Sequence, residues 1–314
     1  MKANIAVDIG GTRMRAGSYP SNQQIPLKLK RISTGSSGND PLDELIELIE
    51  SIWVHDKEIL SMGVAAPGPL DLDKGMVLAA PNIPKWVDFP LKKHLEDHFG
   101  IPVALGNDAN LAALGEWKFG AGQGHRDIVY LTVSTGIGGG VISNNQLIQG
   151  ARGLASELGH ITIEPNGPIC SCGKMGHLEA VASGPAIVRW VTKQLSKGAR
   201  SIHSSKKDEL TARSIAEAAR SGDSLSQTAF ERAGTYIGRA IADLLHIFNP
   251  TAVIIGGGVS QSGDLLMKPI KLSMRKYVFS EHFLEDLKVS TASLGDDVGL
   301  LGALTIARQC SLDG

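Results

Sequence analysis

Ile5-Ala6-Val7-Asp8-Ile9-Gly10-Gly11-Thr12 is the stretch from which the fold can be read. An apolar strand delivers an acid, a glycine pair and a hydroxyl into a tight turn, and Met14 to Ser18 then returns as the second arm of a hairpin. Backbone N–H groups and the Thr12 hydroxyl can hold phosphoryl oxygens there, because Gly10 and Gly11 put no side chain in the way. An ordinary glycine hairpin carries the same signature. The pattern recurs further on. Asp127 to Val133 is again a strand, ending in Ser134-Thr135-Gly136-Ile137-Gly138-Gly139-Gly140, with a returning strand Val141 to Ser143 and an Asn144-Asn145 turn. A duplicated turn of this kind predicts two related domains facing each other across a cleft.

Neither common nucleotide fingerprint is present. Gly136, Gly138, Gly139 and Gly140 do not make G-x-G-x-x-G, because the sixth position is Val141, and no G-x-x-x-x-G-K-[ST] occurs. At 314 residues and 42% hydrophobic content the chain is long and apolar enough for two cores. A net charge of −1 lacks the basic balance of a nucleic-acid binder. Met1-Lys2 runs straight into Asn4-Ile5-Ala6-Val7-Asp8, which is no signal peptide, and no stretch approaches the roughly 18 apolar residues of a membrane span. Three cysteines, an odd number, suit a reducing cytoplasm rather than a disulfide framework.

Between the glycine turns, helices and strands alternate. Asp40 to His55 has Leu42, Leu45, Ile46, Ile49 and Ile52 at helical spacing, with Asp40-Pro41 as cap and first turn. Strand Leu60 to Ala65 ends in Ala66-Pro-Gly-Pro-Leu-Asp71, and strand Ile101 to Leu105, after a helix over 90–99, ends in Gly106-Asn-Asp-Ala-Asn110. Ligand contacts in α/β proteins sit at such carboxyl ends. Asp108 precedes a helix that runs to about Phe119, where an acid is commonly an N-cap, but Asn107 or Asn110 can cap instead and release it for chemistry. Helices are expected over Ser183–Leu195, Thr211–Arg220 and Ser224–Phe248, with a Ser/Lys-rich surface loop over Ser196–Asp208. Strand Ala252 to Ile255 meets Gly256-Gly257-Gly258, strand Val289 to Ala292 follows, and a helix over 297–308 contains Gly299 and Gly302, which suggest close backbone approach.

Glu157 to Glu179 concentrates different chemistry. Its 23 residues open and close on an acid (Glu157, Glu179) and hold two imidazoles (His160, His177) and two thiols (Cys170, Cys172). His160, Cys170, Cys172 and His177 form the ligand set of a closed four-coordinate zinc site. Cys-x-Cys is tighter than the usual spacing, and a surface loop with two reduced thiols and unrelated histidines fits the same residues.

Taken together, Asp8-Ile-Gly-Gly-Thr12, Ala66-Pro-Gly-Pro-Leu-Asp71, Asn107-Asp-Ala-Asn110, Thr132-Val-Ser-Thr-Gly-Ile-Gly-Gly-Gly140, Glu157-Leu-Gly-His160, Cys170-Ser-Cys-Gly-x-x-Gly176 and Ile255-Gly-Gly-Gly258 resemble the ROK family of sugar kinases and repressors, in the actin-like ATPase superfamily. Two positions depart from the family pattern. His177 stands where a third zinc cysteine is usual, and Ser134 where a glycine is common. The resemblance implies an α/β, two-domain actin-like ATPase (ribonuclease H-like) fold with an interdomain cleft. Residues 1–118 with 298–314 would form the small N-terminal domain, and 119–297 the large C-terminal one with the zinc-binding segment.

It further implies phosphorylation of a hexose by ATP and Mg²⁺, with glucose to glucose 6-phosphate as the first expectation and an N-acetylglucosamine or N-acetylmannosamine kinase as the alternative. Asp108 would be the general base, with Gly68, Asn107, Glu157, His160 and Glu179 beside it as sugar contacts. Asp8 would position Mg²⁺ through water; Gly10, Gly11, Thr12, Thr135, Gly136 and Gly138 would cradle phosphates; Gly256, Gly257 and Gly258 would lie against the adenosine. A structural Zn²⁺ on His160, Cys170, Cys172 and His177 would brace the sugar site. A cytoplasmic homo-oligomer, dimer or tetramer, is implied, with neither nucleic acid nor membrane as partner. Some members are sugar-responsive transcription regulators with a helix-turn-helix ahead of the first turn. Here that turn begins at Asp8, which leaves no room for one.

Overall fold

Lys2–Ile9 forms the centre of a sheet because Ala3, Ile5, Ala6, Val7 and Ile9 are fully buried, so both faces of the strand must be covered. The structure, a computed structural model, describes residues 2–35, 40–80, 83–204 and 210–313. This first strand, β1, turns into antiparallel β2 (Arg13–Pro20), which pairs in turn with β3 (Lys28–Ser33). Helix α1 (Pro41–Ile52) follows, capped by the Asp40 carboxylate, which accepts the Leu42 N–H at 3.0 Å. The helix stops at Ile52 rather than reaching His55, because Trp53 swings into extended backbone and stacks on Phe99 with ring centroids 5.2 Å apart. Then come β4 (Glu58–Ala66), a small sheet of β5 (Leu70–Asp71), β6 (Met76–Ala79) and β7 (Val87–Phe89), helix α2 (Leu91–Phe99), β8 (Val103–Asn107) and α3 (Asp108–Phe119).

The pattern starts again with β9 (Ile128–Val133), antiparallel β10 (Ile137–Ser143) and β11 (Gln146–Leu147). Helices α4 (Leu178–Ala182), α5 (Gly184–Ser196), α6 (Ala212–Arg220) and α7 (Ser224–Phe248) precede β12 (Ala252–Gly256), α8 (Asp264–Tyr277), β13 (Lys288–Thr291) and α9 (Val298–Asp313). Of the surface loop expected over Ser196–Asp208, residues 205–208 lie outside the described residues. Helix α7 has the expected bounds. Asp223 caps its start through the Ser226 N–H, and Asn249 at φ 43° ends it ahead of Pro250.

Two compact units result, Met1–Gln123 with Leu147–Ser156 and Ser293–Gly314 in one, and Gly124–Gln146 with Glu157–Ala292 in the other. Each is built on a five-stranded sheet, ordered β3-β2-β1-β4-β8 in the first and β11-β10-β9-β12-β13 in the second. Counted along the chain, the strands of both sheets lie third, second, first, fourth, fifth, and the last three in that order run parallel. The duplication read from the glycine turns is therefore a duplication of topology.

The second turn is shorter than its glycines suggest. Only Ser134 to Gly136 form it, while Gly138, Gly139 and Gly140 belong to β10, opposite Thr132, Leu131 and Tyr130. Bare backbone is needed there for packing. A Cβ on Gly139 would lie 2.6 Å from Leu158 Cδ1, and one on Gly159 1.8 Å from the Ile137 carbonyl oxygen. The glycines let the segment carrying Glu157 and His160 lie directly on the strand.

In the first unit the face of the sheet holding Ile5, Val7, Met62 and Val64 packs on Leu45, Leu48, Ile49 and Ile52 of α1. Gly63 alternates with those residues and so faces the other way, where α9 comes so close that a Cβ would meet the Ala303 carbonyl oxygen at 1.9 Å. Gly302 approaches the Leu111 carbonyl of α3 equally, at 1.9 Å from a built Cβ. Close approach at Gly302 is what the sequence implied. Gly302→Ala should therefore destabilise the protein by about 1–3 kcal/mol through overpacking; a thermal melt unchanged from wild type would contradict this packing.

Candidate active site

In the first unit, pairing register assembles one edge. Asp8 of β1 lies opposite Ala65 of β4, and Ala65 and Ala66 lie opposite Gly106 and Asn107 of β8. Asp8, the loop carrying Gly68, and the Asn107-Asp108 junction thus share the carboxyl-end edge of three parallel strands. Behind the first turn, the Gly10 N–H bonds the Arg13 carbonyl at 2.8 Å, the Thr34 hydroxyl donates to the Gly10 carbonyl at 2.9 Å, and the Thr34 N–H to the Thr12 carbonyl at 3.1 Å. Thr12 itself is exposed. The Asp8 carboxylate accepts from the Arg15 guanidinium, which also donates to the Asp296 carbonyl. Gly299 leaves room for that carboxylate, since a Cβ there would sit 2.7 Å from Asp8 Oδ2.

Gly68 adopts φ 82°, and a Cβ on it would be 1.8 Å from the Ala79 carbonyl oxygen, so no other residue fits. Its carbonyl accepts from Asn107 Nδ2 at 3.3 Å. Asn107 Oδ1 accepts the N–H groups of Ala109 at 3.0 Å and Asn110 at 3.2 Å, so Asn107, of the two asparagines that could do so, is the cap of α3. Asn110 is buried with Oδ1 unpartnered. Asp108 occupies the first helical position and is exposed, and its Oδ1 accepts the Ala109 N–H at 2.7 Å.

The second unit holds the Glu157–Glu179 segment. Glu157 is exposed and starts a single 3₁₀ turn, Leu158–His160. The Leu178 N–H bonds the Ile161 carbonyl at 3.0 Å and Thr162 bridges His177, which brings both histidines together. The loop between them folds back through the Cys170 N–H to the Lys174 carbonyl at 2.8 Å. At its closing end Gly176 has φ 73°, and a Cβ would be 1.8 Å from the Glu164 carbonyl oxygen. As a result one ligand atom from each of His160, Cys170, Cys172 and His177 lies within 4.8 Å of the others. The two Nδ1 atoms are 3.3 Å apart, Cys170 Sγ is 3.7 Å from His160 Nδ1, and Cys172 Sγ is 3.3 Å from His177 Nδ1.

Glu179, in the first turn of α4, adjoins this cluster. Its Oε1 accepts the Ser171 hydroxyl at 2.6 Å and lies 3.3 Å from Cys170 Sγ, and its Oε2 accepts the Ile137 N–H at 3.1 Å. Burial raises the Glu179 carboxyl, but these donors and the nearby His160 outweigh it and hold the group below its usual range. A Cβ on Gly136 would lie 2.6 Å from Glu179 Oε2, so the glycine turn and the acid are fitted to each other. Burial pushes the Cys170 thiol up.

Beside the same turn a cavity of about 810 Å³ opens in the second unit. Ser134 and Thr135 line one side and Gly258 and Val259 another, with Pro185 and Val188 of α5 and Ala216 of α6 supplying apolar surface. Its size matches that of small-molecule sites. Gly257 turns at φ 83° against Val133, where a Cβ would be 2.4 Å from the carbonyl oxygen, and Gly256 sits under the Tyr130 hydroxyl. Of the three glycines after β12, Gly258 lines the cavity. Thr211, Arg213, Phe230 and Gln261 also line it and carry no motif signal; only the helical spacing around them was readable.

A two-unit α/β protein with duplicated sheets, a paired-histidine and cysteine cluster and a nucleotide-sized cavity is thus defined. The ROK family model matches residues 4–310, and the chain belongs to that family. The glucokinase of Thermotoga maritima is 39% identical over 97% of this chain and 97% of its own length. A ROK family glucokinase from Streptomyces griseus, solved in complex with glucose and AMPPNP, superposes with a TM-score of 0.82 at 37% identity, covering 98% of this chain and 99% of that one. The ROK hexokinase of Thermus thermophilus gives 0.84 at 34%, covering 99% and 100%. The fold is the two-domain actin-like ATPase fold of these kinases. No helix among the described residues is long and apolar enough to cross a membrane.

Asn107→Ala should lower stability by about 1 kcal/mol through loss of the cap, and Asp108→Ala by clearly less. Equal losses in denaturant titrations would assign the cap to the wrong residue.

Proposed function

We propose that the protein is an ATP-dependent glucokinase, transferring the γ-phosphoryl group of ATP to a hydroxyl of glucose to give glucose 6-phosphate. The observation that carries this reading is the full-length likeness to a glucokinase solved with glucose and AMPPNP, joined to a nucleotide-sized cavity that opens beside Thr135. Adenosine takes the cavity against Gly256–Gly258, and the phosphates meet Thr135 and Gly136 together with the Gly10-Gly11-Thr12 turn. Gly138 is paired with Thr132 within β10, beside the turn formed by Ser134 to Gly136. Magnesium is commonly held by one or two carboxylates along with waters and substrate phosphates, and Asp8 is such a carboxylate.

Asp108 is the general base. A sugar hydroxyl is a weak nucleophile at neutral pH, so a carboxylate takes its proton as the new O–P bond forms and the bond to ADP breaks. Asp108 lies exposed at the first position of α3, beside the Asn107 cap. Gly68, Asn107, Glu157, His160 and Glu179 take the other hydroxyls. Glu179 suits reading stereochemistry because Ser171 and Ile137 fix the orientation of its carboxylate.

Zinc fits the four-residue cluster. With bonds of usual length, a tetrahedron sets about 3.3 Å between two nitrogens and about 3.6 Å between sulfur and nitrogen. The separations of 3.3, 3.7 and 3.3 Å are close to those values. His177 therefore serves as a ligand where a cysteine is usual. Such an ion braces the loop, and both histidines present Nδ1 to it, which leaves Nε2 of His160 for the sugar. A cytoplasmic dimer or tetramer is the assembly we propose.

Asp108→Asn should lower kcat by at least about a hundredfold while glucose affinity by calorimetry stays within threefold of wild type; near-normal turnover would reject Asp108 as the base. Elemental analysis should find about one zinc per chain, and less in Cys172→Ser. An active preparation free of zinc would retire the brace.

A further inference from the structure

Among the described residues of the first unit, one carboxylate that the reaction does not use is wholly buried. Glu116, near the end of α3, has no exposed surface. Its Oε2 accepts the Ala121 N–H at 2.8 Å and the Ser293 hydroxyl at 3.2 Å, and its Oε1 accepts the N–H groups of Ser293 and Leu294, each at 2.9 Å. Its main-chain carbonyl accepts from Gly120 at 3.0 Å and Gly122 at 2.9 Å. A Cβ on Gly120 would lie 2.1 Å from Oε2, so that glycine makes the room the carboxylate fills.

The residues it gathers have a common property. The chain first leaves the first unit after Gln123, returns to it over Leu147–Ser156, and re-enters it for the last time at Ser293. A single side chain therefore binds Ala121, just before one crossing, and Ser293 and Leu294, just after another. A buried carboxylate saturated by backbone donors is a stiff anchor, because losing an acceptor strands N–H groups away from water.

We propose that Glu116 is the positioning residue of the hinge: it ties together two of the segments through which the chain passes between units, and so sets the pivot for closure on the sugar. The proposal rests on the kinase reading for its trigger, since transfer to a sugar rather than to water calls for closure once the sugar is bound.

The test compares full-length wild type with Glu116→Gln, which keeps the shape but turns an amide NH₂ toward backbone donors. Small-angle scattering should show the wild type compacting on addition of saturating glucose and the variant losing at least half of that change. Its glucose KM should rise about tenfold, while adenosine affinity without glucose stays within twofold, because the cavity proposed for adenosine is built wholly from the other unit. A lower melting temperature with wild-type compaction and KM would show a purely structural role and overturn the proposal. If Glu116→Gln does not fold, Ser293→Ala, which deletes one hydroxyl contact, should show the same shifts in smaller measure, and wild-type values there would overturn it too. A wild type that fails to compact with glucose also overturns it. A wild type that compacts but does not consume ATP rejects the kinase reading and leaves the hinge standing.

Discussion

Parallel pairing in register is the constraint on which the site depends. In a parallel sheet every strand presents its carboxyl end to the same edge, so whatever follows β1, β4 and β8 must emerge side by side. The pairing of Asp8 with Ala65, and of Ala66 with Asn107, fixes the order along that edge to the residue. A slip of one residue would send the Asp8 side chain to the opposite face. The second sheet applies the same rule, with Thr132 opposite Gly256. That pairing sets the Ser134 turn beside the Gly257 turn, close enough that Gly257 has no space for a Cβ. Two chemically different edges thus come from one topology, used twice.

The cluster of His160, Cys170, Cys172 and His177 shows how backbone can gather side chains from poor sequence spacing. Cys-x-Cys holds two thiols too near each other for the common zinc knuckle, and the histidines are separated by the whole loop. The short bridge between Thr162 and His177, with Leu178 bonded to Ile161, removes that separation. Gly176 then reverses the chain at a point where a Cβ would collide with the Glu164 carbonyl. From α7, Tyr236 donates its hydroxyl to the Glu164 carboxylate, and Arg232 donates to the Val181 carbonyl of α4 at 2.9 Å. Both the ligand loop and the helix bearing Glu179 are therefore anchored to one long helix.

Much of this was legible in residue order. The duplicated strand-and-turn pattern foretold two sheets of like topology, and α7 could be bounded by its helical spacing and the Asn249-Pro250 stop. His160, Cys170, Cys172 and His177 could be singled out from residue type alone, although only the fold brings the four together. Other features had no local signal. Strand β3 is an exposed edge, with charged residues among its apolar ones and no alternation to detect. The cavity draws on α5, α6, α7 and the turn after β12, which are distant in the chain and each apolar only in the ordinary way of a packed helix. Gly138 to Gly140 read as a turn because glycine commonly marks one, whereas all three are paired in β10 and Gly139 clears the strand for the packing of Leu158.

The acids of the chain show why residue type alone does not assign a role. Glu116 is an acid in a helix, as Asp108 is, but its acceptor sites are taken up by Ala121, Ser293 and Leu294, and it has no surface. Such a group can hold structure and cannot reach a substrate. Asp108 sits at the start of the same helix, exposed, with the capping duty taken by Asn107. Glu179 lies between these extremes, half-buried and held through both oxygens, which suits a fixed acceptor better than a proton carrier. A general base must be able to meet a proton that arrives with the substrate, so it has to be the acid whose carboxylate the fold leaves within reach. Helix α3 thus carries a buried, fully engaged acid near one end and an exposed acid at the other, beside its asparagine cap.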